Sequence, residues 1–171
     1  MMLQFVLIWK CFVKTSSEYM LVRTGFGDST ASNNGLFVVP FLHHLEKIPL
    51  TVQKLSYERT AKSPLLFQCG TTATLKADFL LRVNATAEDA ERAITFLGAP
   101  RLNDRQALED HFSSAFNDSL ETIALQMPFS ELANNKELFR QKLMVHIGND
   151  LNGMVMDDVG IHHLMPNRTN S

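Results

Sequence analysis

The chain has 171 residues, the length of one ordinary globular domain, and 45% of them are apolar while 20% are charged. Its net charge of −2 excludes a strongly basic nucleic-acid-binding protein, so no nucleic-acid partner is expected. Two cysteines cannot form a disulfide framework, and no apolar run reaches the roughly 18 to 20 residues of a transmembrane helix.

The amino terminus is the most apolar stretch of the chain. Residues 1–9 are apolar except for Gln4. Two interpretations remain open: a buried first helix or strand, or an anchor that dips into a membrane interface. The anchor is favoured, because eight apolar residues at a chain end are costly to leave in water. A helix over residues 1–13 would be about 20 Å long, short of a hydrocarbon core of about 30 Å.

The anchor interpretation predicts that residues 1–17 form a membrane-proximal segment, which contacts the membrane through four large apolar side chains, with two lysines reaching toward the headgroups. These residues are Phe5, Leu7, Ile8, Trp9, Lys10 and Lys14. Residues 1–62 carry a net charge of +3 and residues 63–171 a net charge of −5, so an anionic membrane surface attracts the first part. If this segment does not carry the attachment, we expect the attaching surface around Phe37 and Phe41.

The first half of the chain is predicted to form short strands separated by turns. The predicted strands are residues 19–24, 36–39, 44–50, 51–59, 65–69 and 72–83. Residues 28–35 are rich in Asp, Ser, Asn and Gly, which predicts a turn region. Gly25-Phe-Gly27 lacks the third glycine of a phosphate-binding loop and is interpreted as a turn.

The strand over residues 72–83 has the clearest pattern. Apolar and polar side chains alternate along it, and five of the six residues on the second face are polar. This alternation predicts an antiparallel sheet with one buried and one solvated face. The residues predicted to be buried are Ala73, Leu75, Ala77, Phe79, Leu81 and Val83.

Three helices are predicted in the second half, followed by a strand over residues 154–164. The first covers residues 87–97, with Thr86 as its cap and with Gly98 and Pro100 as the signal that ends it. The second runs from about residue 104 to 125 and buries a stripe of side chains. That stripe is Leu108, Phe112, Ala115, Phe116 and Ile123. A short helical turn is predicted at Ser130 and Glu131, and residues 165–171 form a polar tail.

The third long helix is predicted over residues 136–151, with Gly153 as its stop. A core-facing row repeats every four residues and consists of Phe139, Leu143, Ile147 and Leu151. Leu138 and Val145 lie on the opposite side, so we predict that they contact another protein. Strands, then helices, then one closing strand predict an α+β domain with helices on one face of an antiparallel sheet.

Three segments of the first half resemble the opening of the SPFH or band-7 domain of stomatins, prohibitins and flotillins. They are YMLVRTGFG at residues 19–27, GLFVVP at residues 35–40 and KIPL at residues 47–50. The sequence is most similar to flotillin-like inner-membrane proteins of bacteria, where a valine-arginine-threonine-glycine strand follows directly on the membrane anchor. The likeness continues through residues 79–83, 120–132 and 150–153, and it covers roughly residues 18–164.

This resemblance implies an SPFH-like α+β fold with a curved antiparallel sheet. It also implies a membrane-associated scaffold rather than an enzyme, on the cytoplasmic side of a bacterial inner membrane and without catalytic residues or a cofactor. The implied partners are the membrane surface and either membrane proteins or a full-length flotillin-like relative. A weak homo-oligomer is also expected. The alternative is a soluble protein-binding module that acts through its helical face.

Two departures from the family pattern stand out. The apolar amino terminus is shorter than the family's anchor, and no coiled-coil heptads follow residue 164. Two explanations stay open: a naturally short or split version of the protein, or an interrupted reading frame.

The histidine pairs His43-His44 and His162-His163 are the strongest candidates for metal ligands. Adjacent histidines in a strand point to opposite faces, so each pair offers one ligand to a given site. Neither pair has a Cys or carboxylate at zinc spacing, so no metal site is expected.

Overall fold

A computed structural model describes residues 11–27 and 29–167. The described residues form a mixed α+β structure with curved antiparallel sheets, as predicted. Its strands are β1 (Phe12–Val13), β2 (Tyr19–Gly25), β3 (Thr30–Ser32), β4 (Leu36–Phe37), β5 (His43–Pro49), β6 (Gln53–Arg59), β7 (Leu65–Leu66), β8 (Thr72–Val83) and β9 (Met154–Pro166). Its helices are α1 (Ala87–Leu97), α2 (Ala99–Leu102), α3 (Arg105–Leu125), α4 (Phe129–Asn134) and α5 (Lys136–Ile147).

The chain divides into two compact units. The first unit comprises residues 1–52, 82–104 and 150–155, and the second comprises residues 53–81, 105–149 and 156–171.

The first unit is built around strand β2. Both of its neighbours, β3 and β5, pair with it in antiparallel register, and the β5 ladder runs from Tyr19 opposite Pro49 to Gly25 opposite His43. Met20, Leu21 and Val22 of β2 are buried, helix α1 packs against β3 and β2, and α2 packs against β5. Strands β1 and β4 pair with each other in an antiparallel two-stranded sheet.

Helix α1 has the predicted bounds because both of its ends are determined locally. The Thr86 hydroxyl accepts a hydrogen bond from the backbone N–H of Asp89 at 3.1 Å, which caps the start. Gly98 ends the helix at a positive φ of 80°. Helix α2 was not predicted, because Pro100 was interpreted as part of the signal that ends α1. Proline is compatible with the first turn of a new helix, where no intrahelical N–H bond is needed.

The second unit is organised by β8. This strand pairs in antiparallel register with β6 and β7, and β9 also pairs with it. All six apolar side chains predicted to be buried along β8 are buried. Phe79 lies at the centre, with its ring centroid 4.2 Å from that of Phe116 and 5.5 Å from that of Tyr57. The alternation therefore predicted the buried face of this strand correctly.

Helix α3 buries a slightly different stripe from the predicted one. Leu108, Phe112, Phe116 and Ile123 are buried, whereas Ala115 is exposed. The buried face follows the large side chains at steps of four, so Ala115 lies at its edge and remains in contact with solvent. The short helix predicted around Ser130 and Glu131 is α4.

Helix α5 ends four residues earlier than predicted. Gly148 terminates it with a φ of 83°, and its backbone N–H bonds to the carbonyl of Met144 at 3.0 Å. The prediction that Gly153 ends this helix is therefore wrong, since an earlier glycine already supplies the left-handed conformation. Phe139 and Leu143 are buried as predicted, but Leu151 lies outside the helix.

Several short strands differ from prediction because long-range pairing determines their extent. Strand β3 lies inside the predicted turn region, where its three residues pair with β2. Strands β4 and β7 are only two residues long, because β4 pairs with β1 at two positions and β7 pairs with the start of β8 at two positions. Strand β9 extends two residues beyond the predicted end, to Pro166.

Candidate functional site

Three exposed apolar side chains of the first unit come together at the end of the β2–β5 ladder. Just beyond the last pair of that ladder, the backbone N–H of Phe26 donates to the carbonyl of Leu42 at 3.1 Å. Phe26 is 83% exposed, Phe41 is fully exposed and Leu42 is more than half exposed. We call Phe26, Phe41 and Leu42 the apolar tip. Large apolar side chains grouped in water are typical of an interaction surface.

The loop that carries Phe41 has a fixed shape. The backbone N–H groups of Leu42 and His43 both donate to the carbonyl of Val39, at 3.2 and 3.1 Å. In return, the N–H of Val39 donates to Nδ1 of His43 at 3.0 Å. Phe41 has a φ of 72°, an unusual backbone conformation for a bulky side chain. Strained residues persist only where their surroundings hold them, and they concentrate at functional sites.

Gly25 allows the two loops of the tip to approach each other. Its φ is 126°, and a Cβ placed on it would lie 2.4 Å from the carbonyl oxygen of Leu42. Any side chain here would separate the Phe26 loop from the Phe41 loop. Gly25 lies in residues 19–27, one of the segments that resemble the SPFH domain, and the geometry of the tip requires a glycine at this position.

A second pair of exposed aromatic side chains lies on β1 and β4. Phe12 and Phe37 are cross-strand partners, and nearly half of each side chain is exposed. The guanidinium of Arg23 donates to the carbonyl of Phe37 at 2.9 Å and to the hydroxyl of Thr30 at 3.2 Å. Arg23 therefore connects β4 and β3 to the β2 strand from which it projects. Lys14 follows β1 directly and is exposed.

Most of the residues predicted to touch a membrane lie outside the described part of the chain. They are Phe5, Leu7, Ile8, Trp9 and Lys10. The alternative surface for membrane attachment was expected around Phe37 and Phe41. Phe41 belongs to the apolar tip, and Phe37 pairs with Phe12. Sequence reasoning missed Phe26, although an aromatic residue between two glycines is a signal for an exposed loop position.

The two residues predicted to contact another protein line one groove of the second unit. Leu138 and Val145 are two helical turns apart on α5, and Val145 is 83% exposed. The groove lies between α3 and α5 and encloses about 390 Å³. Its other lining residues are Ile123, Gln126, Gln141, Lys142 and His146. We call it the α3–α5 groove.

One residue of the predicted solvated face of β8 is in fact buried. Asp78 is only 4% exposed, and its carboxylate lies 2.6 Å from Nζ of Lys54 and 2.9 Å from Nε2 of His162. The hydroxyl of Ser56 donates to it at 2.7 Å. Burial by itself raises the pKa of Asp78, but the hydrogen bonds from Lys54 and Ser56 and the nearby positive charge outweigh it, so the pKa is lowered.

This lowered pKa predicts an acid-sensitive contribution to stability. Because the folded state favours the ionised carboxylate, the contribution is complete above the unfolded-state pKa of about 4 and is lost as the pH falls through the lower folded-state value. We expect the free energy of unfolding of Asp78→Asn to be lower than that of the natural chain at pH 7, with the difference narrowing toward pH 3. Chemical denaturation at several pH values measures it. A constant difference would contradict this assignment.

Cys69 is exposed and has a thiol that ionises readily. The hydroxyl of Thr71, 3.1 Å from Sγ, and the backbone N–H groups of Phe129 and Thr71 stabilise the thiolate, and they lower the pKa of Cys69 to about 7. We expect half-maximal alkylation of Cys69 near pH 7. Thr71→Val should move that midpoint upward. An unchanged midpoint would show that the hydroxyl does not act on the thiolate.

The part of the chain that the structure describes contains neither a membrane-spanning helix nor a metal-ligand cluster. None of the helices within residues 11–27 and 29–167 has the length and apolar character needed to cross a bilayer. In the same part of the chain, no three His, Cys, Asp or Glu side chains are grouped as they would be around a metal ion.

Comparison with known proteins agrees with the resemblance seen in the sequence. The SPFH domain / Band 7 family model matches residues 13–171. The flotillin family inner membrane protein YqiK of Escherichia coli (strain K12) is 26% identical over 162 residues, which cover 91% of this chain. The chain spans 29% of the length of that relative. The chain therefore belongs to the SPFH domain / Band 7 family.

Proposed function

We propose that this chain is a membrane-associated scaffold domain of the flotillin type, which organises membrane microdomains or membrane protein partners without catalysing a reaction. Its family membership supports the scaffold role. The description of its relative as an inner membrane protein supports a position at a bacterial inner membrane, and we propose the cytoplasmic side of it. The partners are the membrane surface and membrane proteins or a longer flotillin-like relative.

The apolar tip is the observation that carries the proposal. A fully exposed Phe41 in a strained backbone conformation, beside Phe26 and Leu42, has no role in the core of the first unit. Burying one large apolar side chain contributes about 1.5 to 3 kcal/mol. Three such side chains that enter a lipid interface together are sufficient for reversible attachment. The rigid loop also reduces the entropy that would be lost on binding.

The amino-terminal segment supplies a second attachment in this proposal. Its predicted contacts are Phe5, Leu7, Ile8 and Trp9, with Lys10 and Lys14 at the headgroups. The exposed Phe12–Phe37 pair follows this segment in the chain. Two weak attachments on one chain bind more firmly than either alone, because the second is then intramolecular.

A soluble protein-binding module is the second candidate function. The α3–α5 groove favours it, since Leu138 and Val145 lie together on a surface that could receive another chain. In that case the chain would not need the apolar tip.

Flotation with anionic liposomes tests the tip directly. We expect the double variant Phe26→Ser and Phe41→Ser to reduce the bound fraction about tenfold or more, since several kcal/mol of apolar transfer are lost. The matched control is Leu66→Ser with Met165→Ser, two exposed apolar residues of the second unit. If the tip variant and the control float equally well, the tip is not the membrane contact.

Deletion of residues 1–10 separates the amino-terminal segment from the tip. A longer deletion up to Ser17 would also remove β1 and the bond from the N–H of Val38 to the carbonyl of Cys11, at 2.7 Å. We expect the short deletion to weaken flotation and its combination with the tip variant to abolish it. If the combined variant still floats fully, the attachment lies elsewhere in the chain and the proposal fails.

A further inference from the structure

The loop that carries Phe41 is closed by three hydrogen bonds that meet at Val39. The carbonyl of Val39 accepts from the backbone N–H groups of Leu42 and His43, and the N–H of Val39 donates to Nδ1 of His43 at 3.0 Å. The first two bonds join backbone groups, which do not titrate. The third ends on an imidazole, the side chain whose ordinary titration falls between about pH 5 and 8. One of the three bonds therefore depends on protonation.

The bond between Val39 and His43 requires the neutral imidazole. A ring nitrogen that accepts a hydrogen bond carries no proton, so the proton of neutral His43 lies on Nε2. In the protonated ring both nitrogens are donors, and Nδ1–H then faces the N–H of Val39. A partly buried backbone donor that loses its acceptor is unfavourable. Protonation of His43 therefore breaks this bond.

The charged groups of the β2–β5 ladder do not offer protonated His43 a new partner. Arg23 and Lys47 share its face of the ladder, and both are cations. Glu46 lies on the opposite face, 3.9 Å from His44. Among the described residues of β2 and β5, no carboxylate therefore shares a face with His43. The titratable or charged side chains of the other elements beside the loop and β5 are Cys11, Lys14 and Arg101.

We propose that His43 is a protonation switch for the loop that carries Phe41. Neutral His43 closes the loop and holds Phe41 at its φ of 72° within the apolar tip. Protonated His43 releases the N–H of Val39, the backbone of Phe41 relaxes, and the tip loses its fixed shape. The bond from the N–H of Val38 to the carbonyl of Cys11 does not titrate, so the change is confined to residues 39–43.

The effect on attachment rests on the proposed membrane contact of the apolar tip. A preformed loop loses less conformational entropy on binding than a flexible one, so release of the loop weakens attachment. The bond is complete where His43 is neutral and is lost as the pH falls through its titration. The positive charge added to His43 attracts the chain to anionic lipids and acts in the opposite direction, but salt screens this attraction.

Amide hydrogen exchange of the full chain in solution tests the switch without a membrane. We expect the protection factor of the Val39 N–H, corrected for the intrinsic pH dependence of exchange, to fall about fivefold or more from about pH 7.5 to about pH 5. The N–H of Leu50 is the control amide, because it bonds to the backbone carbonyl of Glu18 at 2.8 Å and should keep its protection.

Three variants identify the titrating group. His43→Asn retains an acceptor oxygen on Cγ but cannot titrate, so the Val39 N–H should stay protected at both pH values. His43→Leu has no acceptor, so that N–H should exchange quickly at both. His44→Asn is the matched control on the adjacent residue and should behave as the natural chain does.

Flotation then measures the effect on attachment. The probe is vesicles of phosphatidylcholine and phosphatidylglycerol at high ionic strength, where the charge on His43 contributes little. From about pH 7.5 to about pH 5, the bound fraction of the natural chain should fall about threefold relative to that of His43→Asn, since the released loop must be ordered again on binding.

The possible failures are distinguishable. A constant protection factor for Val39 in the natural chain overturns the switch, and so does a loss of protection in His43→Asn equal to that of the natural chain. If exchange shows the switch but both chains lose flotation equally on acidification, the loop does not regulate attachment. A natural chain that does not float at about pH 7.5 contradicts the membrane proposal instead, and the exchange result still decides the switch.

Discussion

Phe79→Ala should lower the free energy of unfolding by about 3 to 5 kcal/mol, because it removes a fully buried ring from the centre of the second unit. The ring stacks on Phe116 with centroids 4.2 Å apart and meets the edge of Tyr57 at 5.5 Å. Its loss removes apolar burial and two aromatic contacts, and it leaves a cavity between β8 and α3. The surrounding side chains belong to a strand and a long helix, which limits their collapse into the space.

Chemical denaturation at neutral pH measures this effect. Phe26→Ala is the matched control, since the same atoms are removed from a ring that is 83% exposed, and its cost should stay below about 1 kcal/mol. A change of less than about 1 kcal/mol for Phe79→Ala would mean that the register of β8 is wrong.

Gly153→Ala should cost about 2 to 5 kcal/mol, more than the same change at Gly148. Both glycines have a positive φ, 88° at Gly153 and 83° at Gly148, so both substitutions introduce backbone strain. They differ in their surroundings. A Cβ on Gly153 would lie 2.1 Å from the carbonyl oxygen of Asp89 and 2.9 Å from the backbone nitrogen of Ala93, whereas a Cβ on Gly148 meets nothing within 4 Å.

The neighbours of Gly153 are backbone atoms of α1, which cannot rotate away as a flexible side chain would. Its carbonyl also accepts a bond from the N–H of Asn84 at 3.0 Å, so the turn cannot shift freely. We therefore expect Gly148→Ala to cost only the conformational strain, about 1 to 3 kcal/mol for a φ of 83° with a ψ of 169°. Equal losses for the two variants would show that the close approach of the turn to α1 is not required.

Elements whose signals lie within their own residues were predicted well from the sequence. Strand β8 has the predicted bounds and buried face, because twelve alternating residues leave one register that hides the apolar side chains. Helix α1 also has its predicted bounds, since a hydroxyl cap and a terminal glycine determine its ends. The segments that resemble the SPFH domain indicated the family, which the family model confirms.

The candidate site was predicted only in part, because it depends on which loops the sheet brings together. The sequence indicated Phe41 only as part of an alternative surface, and Phe26 joins it only because Gly25 pairs with His43 at the end of the β2–β5 ladder. Similarly, Asp78 was assigned to a solvated face, yet Lys54 and His162 from neighbouring strands cover it.

The amino-acid sequence by itself determined the general order of strands, then helices, then a closing strand, together with the buried face of β8 and the family, because periodicity, caps and local motifs act over a few residues. Only the tertiary structure decided that β3 forms within a predicted turn and that Phe26, Phe41 and Leu42 make one surface. Both depend on contacts between separate segments of the chain, and the free energy of these contacts outweighs local propensity.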